Sequence, residues 1–122
     1  MNRPAPRRGE IWWTAAEGTP PKRHPVVIVS LDVRNTNERI DTVLAVPFTS
    51  KITEGPTVVK LEPGESGLDQ PSCVRGHYIS TVRKNNLLER LPRALSSRRM
   101  QELCLAIRRS FDPNAPADNL HG

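Results

Sequence analysis

The chain has 122 residues, 36% apolar and 25% charged, enough for one domain with a modest core and too few for two. Lysine and arginine outnumber aspartate and glutamate 18 to 13, and the net charge of +5 points to a polyanion or an acidic protein as partner. No apolar run nears the roughly 20 residues that cross a bilayer, and Gly9 and Glu10 end the basic start before any signal-peptide core, so no membrane and a cytoplasmic location are expected.

Residues 1–8 are rich in proline and arginine and read as a disordered basic tail. Gly9-Glu10-Ile11-Trp12-Trp13-Thr14 predicts a first strand, and Glu17-Gly18-Thr19-Pro20-Pro21 a loop, since consecutive prolines cannot continue a ladder. A second strand is expected over about 24–32. The four β-branched residues Val26, Val27, Ile28 and Val29 mark it as buried on both faces. Asn35-Thr36-Asn37-Glu38 is a polar turn, and a third strand follows at about 42–49. Pro47 should mark a bulge or an edge in it, because proline has no N–H to donate. A shorter fourth strand is expected over 57–61 and a turn-rich connector over 65–69. Residues 72–82 then read as one or two strands around a bend at Gly76.

The last element is a helix capped by Ser96 or Ser97, with Met100, Leu103, Cys104, Ile107 and Phe111 at helical spacing as a core or dimer stripe. Asp112-Pro113 ends it, and 112–122 reads as a tail. The domain is therefore expected over 9–111. Cys73 and Cys104 have neither metal-ligand spacing nor enough partners for a disulfide framework, and are expected to be small buried side chains. Short strands followed by one helix predict a mainly β fold, a small bent antiparallel barrel with a C-terminal helix against it. Its small core makes a homodimer the natural way to bury more surface.

Polar residues stand at the ends of the two best strands: Lys22, Arg23 and His24 before one, and Thr49, Ser50 and Lys51 after the other. If those strands pair, the groups can converge on one phosphodiester. Cleaving RNA through its own 2′-hydroxyl needs a group to take the 2′ proton, another to protonate the departing 5′ oxygen, and positive charge at the crowded phosphorane. Histidine suits proton transfer near neutral pH, and arginine suits phosphate clamping through its forked donors. His24 as acid–base and Arg23 as clamp is thus a coherent division. Successive strand residues point to opposite faces, however, so both reach one phosphate only if the chain is irregular before Pro25. Thr49 can donate its hydroxyl to a non-bridging oxygen, while Ser50, Lys51 and Lys22 position phosphate. His77 and Tyr78 alternate, so one of them can stack on an unpaired base. Trp12 and Trp13 also alternate, and both are expected to pack. No metal or other cofactor is called for.

The order of segments resembles the MazF/PemK (Kid) toxins. The likeness rests on Arg8-Gly9-Glu10-Ile11-Trp12, His24-Pro25-Val26-Val27-Ile28-Val29-Ser30, Val46-Pro47-Phe48-Thr49-Ser50-Lys51, Gly67-Leu68-Asp69 with Ser72, and Ile79-Ser80-Thr81-Val82-Arg83-Lys84, with the helix from Ser96 completing it. It implies an SH3-like barrel and a sequence-specific, metal-independent endoribonuclease for single-stranded RNA, an mRNA interferase. The product would carry a 2′,3′-cyclic phosphate. The resemblance also implies a homodimer and an acidic antitoxin as partner in a type II toxin–antitoxin system. CcdB-type toxins, which poison DNA gyrase, share the fold, so a gyrase poison and an RNA-binding protein without catalysis remain the alternatives. The family pattern places a catalytic arginine directly before the proline of the second strand. Here that position is His24, with Arg23 one residue earlier, and the acid–base role lies open between them. The threonine of the third-strand motif is intact as Thr49. His77-Tyr78 stands where the family tends to carry Glu-Gln, which bears on base recognition.

Overall fold

The computed structural model describes residues 4–16 and 22–117, with Ala16 and Lys22 in backbone only. Three strands, β1 (Glu10–Ala16), β2 (Lys22–Ile28) and β3 (Thr42–Thr49), form the middle of an antiparallel sheet. β3 is long enough to take two outer neighbours. β6 (Ser80–Arg83) pairs along its first half, from Thr42 to Ala45, and β5 (Ser72–Arg75) pairs at Phe48 and Thr49. Pro47 falls in the gap between them, where a missing N–H costs no ladder bond on that side. β4 (Val58–Leu61) extends the β5 side, and β7 (Leu87–Ala94) pairs with β1. The order β7-β1-β2-β3-β6 makes a barrel-like sheet left open between β6 and β7, which are joined by a 3-10 turn at Lys84–Asn86.

Alternation gives each face of this sheet its own apolar cluster. Trp12, Val26, Ile28, Val43, Ala45 and Leu87 fill one, and Ile11, Val27, Val46, Phe48 and Val74 face the helix across the other. Val26, Val27, Ile28 and Val29 are all buried, as a strand covered on both faces requires. Helix α2 (Ser97–Phe111) starts at Ser96, whose hydroxyl accepts from the Arg99 N–H at 3.2 Å. It buries Met100, Leu103, Ala106 and Ile107. Phe111, expected in the same stripe, is 72% exposed. The bend expected at Gly76 opens a 3-10 turn (Gly76–Tyr78) that packs so tightly on α2 that a Cβ there would stand 2.6 Å from the backbone of Ala106 and Ile107.

Three local readings change. The second strand stops at Ile28. The buried pair Ser30 and Asn35, with the Asn35 amide donating to the Ser30 carbonyl at 2.9 Å, turns the chain into the short helix α1 (Asp32–Asn35). β7 has no counterpart in the predicted elements. Its buried residues Leu87 and Leu91 stand four apart with Pro92 beside them, because the β1–β7 register shifts twice and breaks the period of two. Within the basic start, residues 4–8 lie against the domain: Pro6 is buried, and the Arg8 guanidinium donates to the Val29 carbonyl at 2.6 Å and to the Cys104 sulfur at 2.8 Å. Both cysteines are free thiols, Cys73 buried and Cys104 half-buried.

Candidate active site

The register of β1, β2 and β3 decides which polar groups meet. Trp13 lies opposite Pro25, Ala15 opposite Arg23, and Thr14 opposite His24. Cross-strand partners share a face, so Trp13, Pro25 and Arg23 stand on one side of the sheet and Thr14 and His24 on the other. The next step of the β2–β3 ladder, one beyond Val26 opposite Pro47, brings Phe48 beside Pro25. Trp13, Pro25 and Phe48 floor a cleft of about 420 Å3, bounded by Thr49 and Ser50 at the end of β3 and by residues 68–72.

Arg23 stands over the Trp13 ring, its guanidinium carbon 5.2 Å from the centroid, and donates to Glu89 on β7 at 3.0 Å. Both partners of this ion pair are exposed, so it is weak and open to exchange for a phosphate. Thr49 is half-buried, and its Oγ1 accepts from the Lys51 N–H at 3.1 Å. With one lone pair so engaged, the hydroxyl proton is left to be donated to a ligand. Ser50 and Lys51 are exposed beside it. The Lys51 carbonyl accepts from Arg75 at 3.2 Å and from the Cys73 thiol at 3.4 Å, which ties the turn after β3 down to β5.

His24 is exposed on the face away from the cleft floor, and its carbonyl accepts from the Thr14 hydroxyl at 3.2 Å. The Lys22 side chain lies outside the described residues. His77 and Tyr78 do not line the cleft. They stand on the 3-10 turn after β5, rings 4.8 Å apart, with the Arg75 guanidinium 5.6 Å from the Tyr78 ring and Thr57 Oγ1 2.8 Å from His77 Nδ1. The two sets therefore form a cleft and a separate exposed aromatic step.

Three polar cleft residues have no part in the sequence-derived candidate set: Asp69, Gln70 and Ser72. Their one sequence signal is the Gly67-Leu68-Asp69 segment with Ser72, which carries the family resemblance without indicating a role. The connector that holds them is pinned to α2. Arg99 donates to both carboxylate oxygens of Glu65, at 2.9 and 3.2 Å, and to Glu102 at 2.8 Å. Among the described residues, no group of three or more histidine, cysteine or acidic side chains is arranged to hold a metal ion.

The family model of the PemK-like, MazF-like toxins of type II toxin–antitoxin systems matches residues 7–111. Among solved structures, an endoribonuclease in complex with its cognate antitoxin from a mycobacterial species is 26% identical, with a TM-score of 0.76 over 92% of this chain and 100% of that one. The Mycobacterium tuberculosis toxin MazF-mt6 is 25% identical, with a TM-score of 0.68 over 83% of this chain and 96% of that one. A MazE–MazF structure from Deinococcus radiodurans shares the fold at 19% identity, with a TM-score of 0.70 over 88% and 95% of the two chains.

Proposed function

We propose that this chain, which belongs to the PemK-like, MazF-like toxins of type II toxin–antitoxin systems, is a sequence-specific endoribonuclease that cuts single-stranded mRNA without a metal. An RNA strand supplies its own nucleophile, the 2′-hydroxyl, and the product is a 2′,3′-cyclic phosphate. The protein then needs to orient the strand and offset charge at the phosphorane. The observation that carries this reading is the β1–β2–β3 register, which puts Arg23 on the same side of the sheet as the cleft that Trp13 and Thr49 line, its guanidinium over the Trp13 ring.

In this cleft Arg23 clamps the scissile phosphate and Thr49 donates to a non-bridging oxygen. Ser50, Lys51 and Lys22 hold the neighbouring phosphates. His77 and Tyr78, with Arg75, offer an exposed platform for a base farther along the strand. Of the two candidates for the family arginine's role, the cleft-side face supports Arg23 over His24. The natural partners are a second copy of the chain and an acidic antitoxin segment that covers the basic surface. Both belong in the cytoplasm, where mRNA is. Among the described residues no helix is long and apolar enough to cross a membrane.

A long unstructured RNA incubated with the protein in EDTA is the test. Cleavage to cyclic-phosphate ends is expected, with Arg23→Ala inactive and His24→Ala retaining most of the turnover. The reverse ranking would return the role to His24. Intact RNA together with gyrase inhibition would overturn the ribonuclease reading.

A further inference from the structure

The second wall of the cleft holds an unused acid and an unused hydroxyl. Asp69 is the one ionisable side chain among the residues that line the cleft, and it makes no hydrogen bond or ion pair with any described residue. Ser72 lines the same cleft and is 4% exposed. Its Oγ is the one buried side-chain polar atom without a partner among the described residues. Orphaned buried hydroxyls cost free energy and are rare in native proteins, so one at a cleft wall points to a ligand that satisfies it. Continuing the β3–β5 register one step beyond Thr49 opposite Cys73 sets Ser72 across from Ser50 and next to the candidate phosphate site.

The reaction, meanwhile, lacks a proton acceptor. Arginine is always protonated and cannot serve, Thr49 is occupied as a donor, and His24 is on the far face of β2. A free carboxylate in a phosphate-binding cleft also repels the substrate backbone, which calls for a compensating role. We propose that Asp69 is the general base of the reaction and that the Ser72 hydroxyl is a substrate contact. This rests on the ribonuclease reading above. The 2′ O–H bond breaks and its proton passes to the Asp69 carboxylate as the 2′ oxygen bonds to phosphorus. The bond from phosphorus to the 5′ oxygen breaks, and that oxygen takes a proton from water. The hydroxide so formed is neutralised by the proton that Asp69 releases. The charged groups around the cleft are Arg23 and Glu89 on its Trp13 side, Lys51 beyond Ser50, and Arg93 of β7, whose Cβ lies near Gly67.

Single-turnover cleavage of one RNA substrate, followed against pH for the wild type, Asp69→Asn, Asp69→Glu and Ser72→Ala, tests this. The wild type should lose rate on acidification with a carboxylate-like limb. Asp69→Asn should lower the rate by about 10²–10⁴-fold, as the loss of a general base does, and remove that limb, while Asp69→Glu recovers part of the rate. Its thermal midpoint should not change, because Asp69 is exposed and unpartnered. Ser72→Ala should be at least as stable as the wild type and should bind RNA several-fold more weakly, measured on a substrate with a 2′-deoxy at the cut. A wild-type acid limb preserved at full rate in Asp69→Asn overturns the assignment and leaves the ribonuclease reading standing. RNA binding unchanged in Ser72→Ala overturns the hydroxyl contact. A wild type inactive on every RNA overturns both readings.

Discussion

At the scale of single residues, one position of register separates a residue on the cleft side of the sheet from a residue behind it. Arg23 and His24 are neighbours in sequence, and their side chains differ by half a pleat. Thr49 is the sharper case, because its hydroxyl oxygen is already engaged by the Lys51 N–H and its proton is left available for donation. Thr49→Val keeps the branched shape while removing the hydroxyl. Its kcat should fall roughly 10²–10³-fold, as when one donor to a developing oxyanion is lost, and Thr49→Ser should keep most of the rate. Binding of an uncleavable 2′-deoxy analogue should barely change, since the contact tightens in the transition state. Thr49 could be singled out as a candidate from the sequence, as a hydroxyl at the end of a clear strand, and it lines the cleft. Ser72 could not, because its importance lies in a missing partner, and no one-dimensional pattern records what a side chain fails to touch.

At the scale of elements, the connector over 62–71, whose residues 68–71 wall the cleft, is tied to α2 by the Arg99–Glu65 ion pair. The Arg99 guanidinium, with burial opposing and the Glu62 N–H assisting, holds the Glu65 carboxyl below its ordinary 4.5. A carboxyl lowered by folding adds stability above its ordinary pKa and loses it as pH falls through the folded value. Glu65→Gln should therefore be less stable than the wild type at neutral pH, and the gap should close as pH drops below about 4.5, measured by urea denaturation across that range. The same wall should loosen at neutral pH and weaken RNA binding. The second element-scale contact is Gly76 on α2. A methyl group at 2.6 Å from helix backbone forces the turn and helix apart. Gly76→Ala should cost about 1–3 kcal/mol, typical of an overpacked site, read as a lowered denaturation midpoint. The bend at Gly76 was visible in the sequence, but the reason glycine is needed there was not, since its neighbours are 30 residues away in the chain. β7 escaped for a related reason: shifts in its register with β1 leave its leucines four apart, a spacing that does not read as a strand.

At the scale of the whole molecule, surface apolar groups and net charge govern association. Phe111 makes an apolar step at the end of α2, where it is 72% exposed. An apolar step of this kind on a small domain is a natural contact between two copies. The protein should sediment as a dimer at micromolar concentration. Phe111→Asp should shift it toward monomer with its fold unchanged by circular dichroism, and a stable wild-type monomer would count against the dimer. The charge of +5 belongs to the same scale, as an attraction for RNA and for an acidic antitoxin alike.

The order of strand-like segments, the doubly buried run from Val26 to Val29, the capped amphipathic helix and the basic balance were determined by the sequence alone, because each is a local matter of composition or period. Family membership was legible for the same reason, since five short segments keep their order. Which groups share a cleft was decided only by the tertiary structure. Arg23 stands on its side of the sheet and His24 on the other, Asp69 and Ser72 form its second wall, and His77 with Tyr78 stands apart from it. Strand register and loop closure join residues dozens of positions apart, and a shift of one residue sends a side chain to the opposite face.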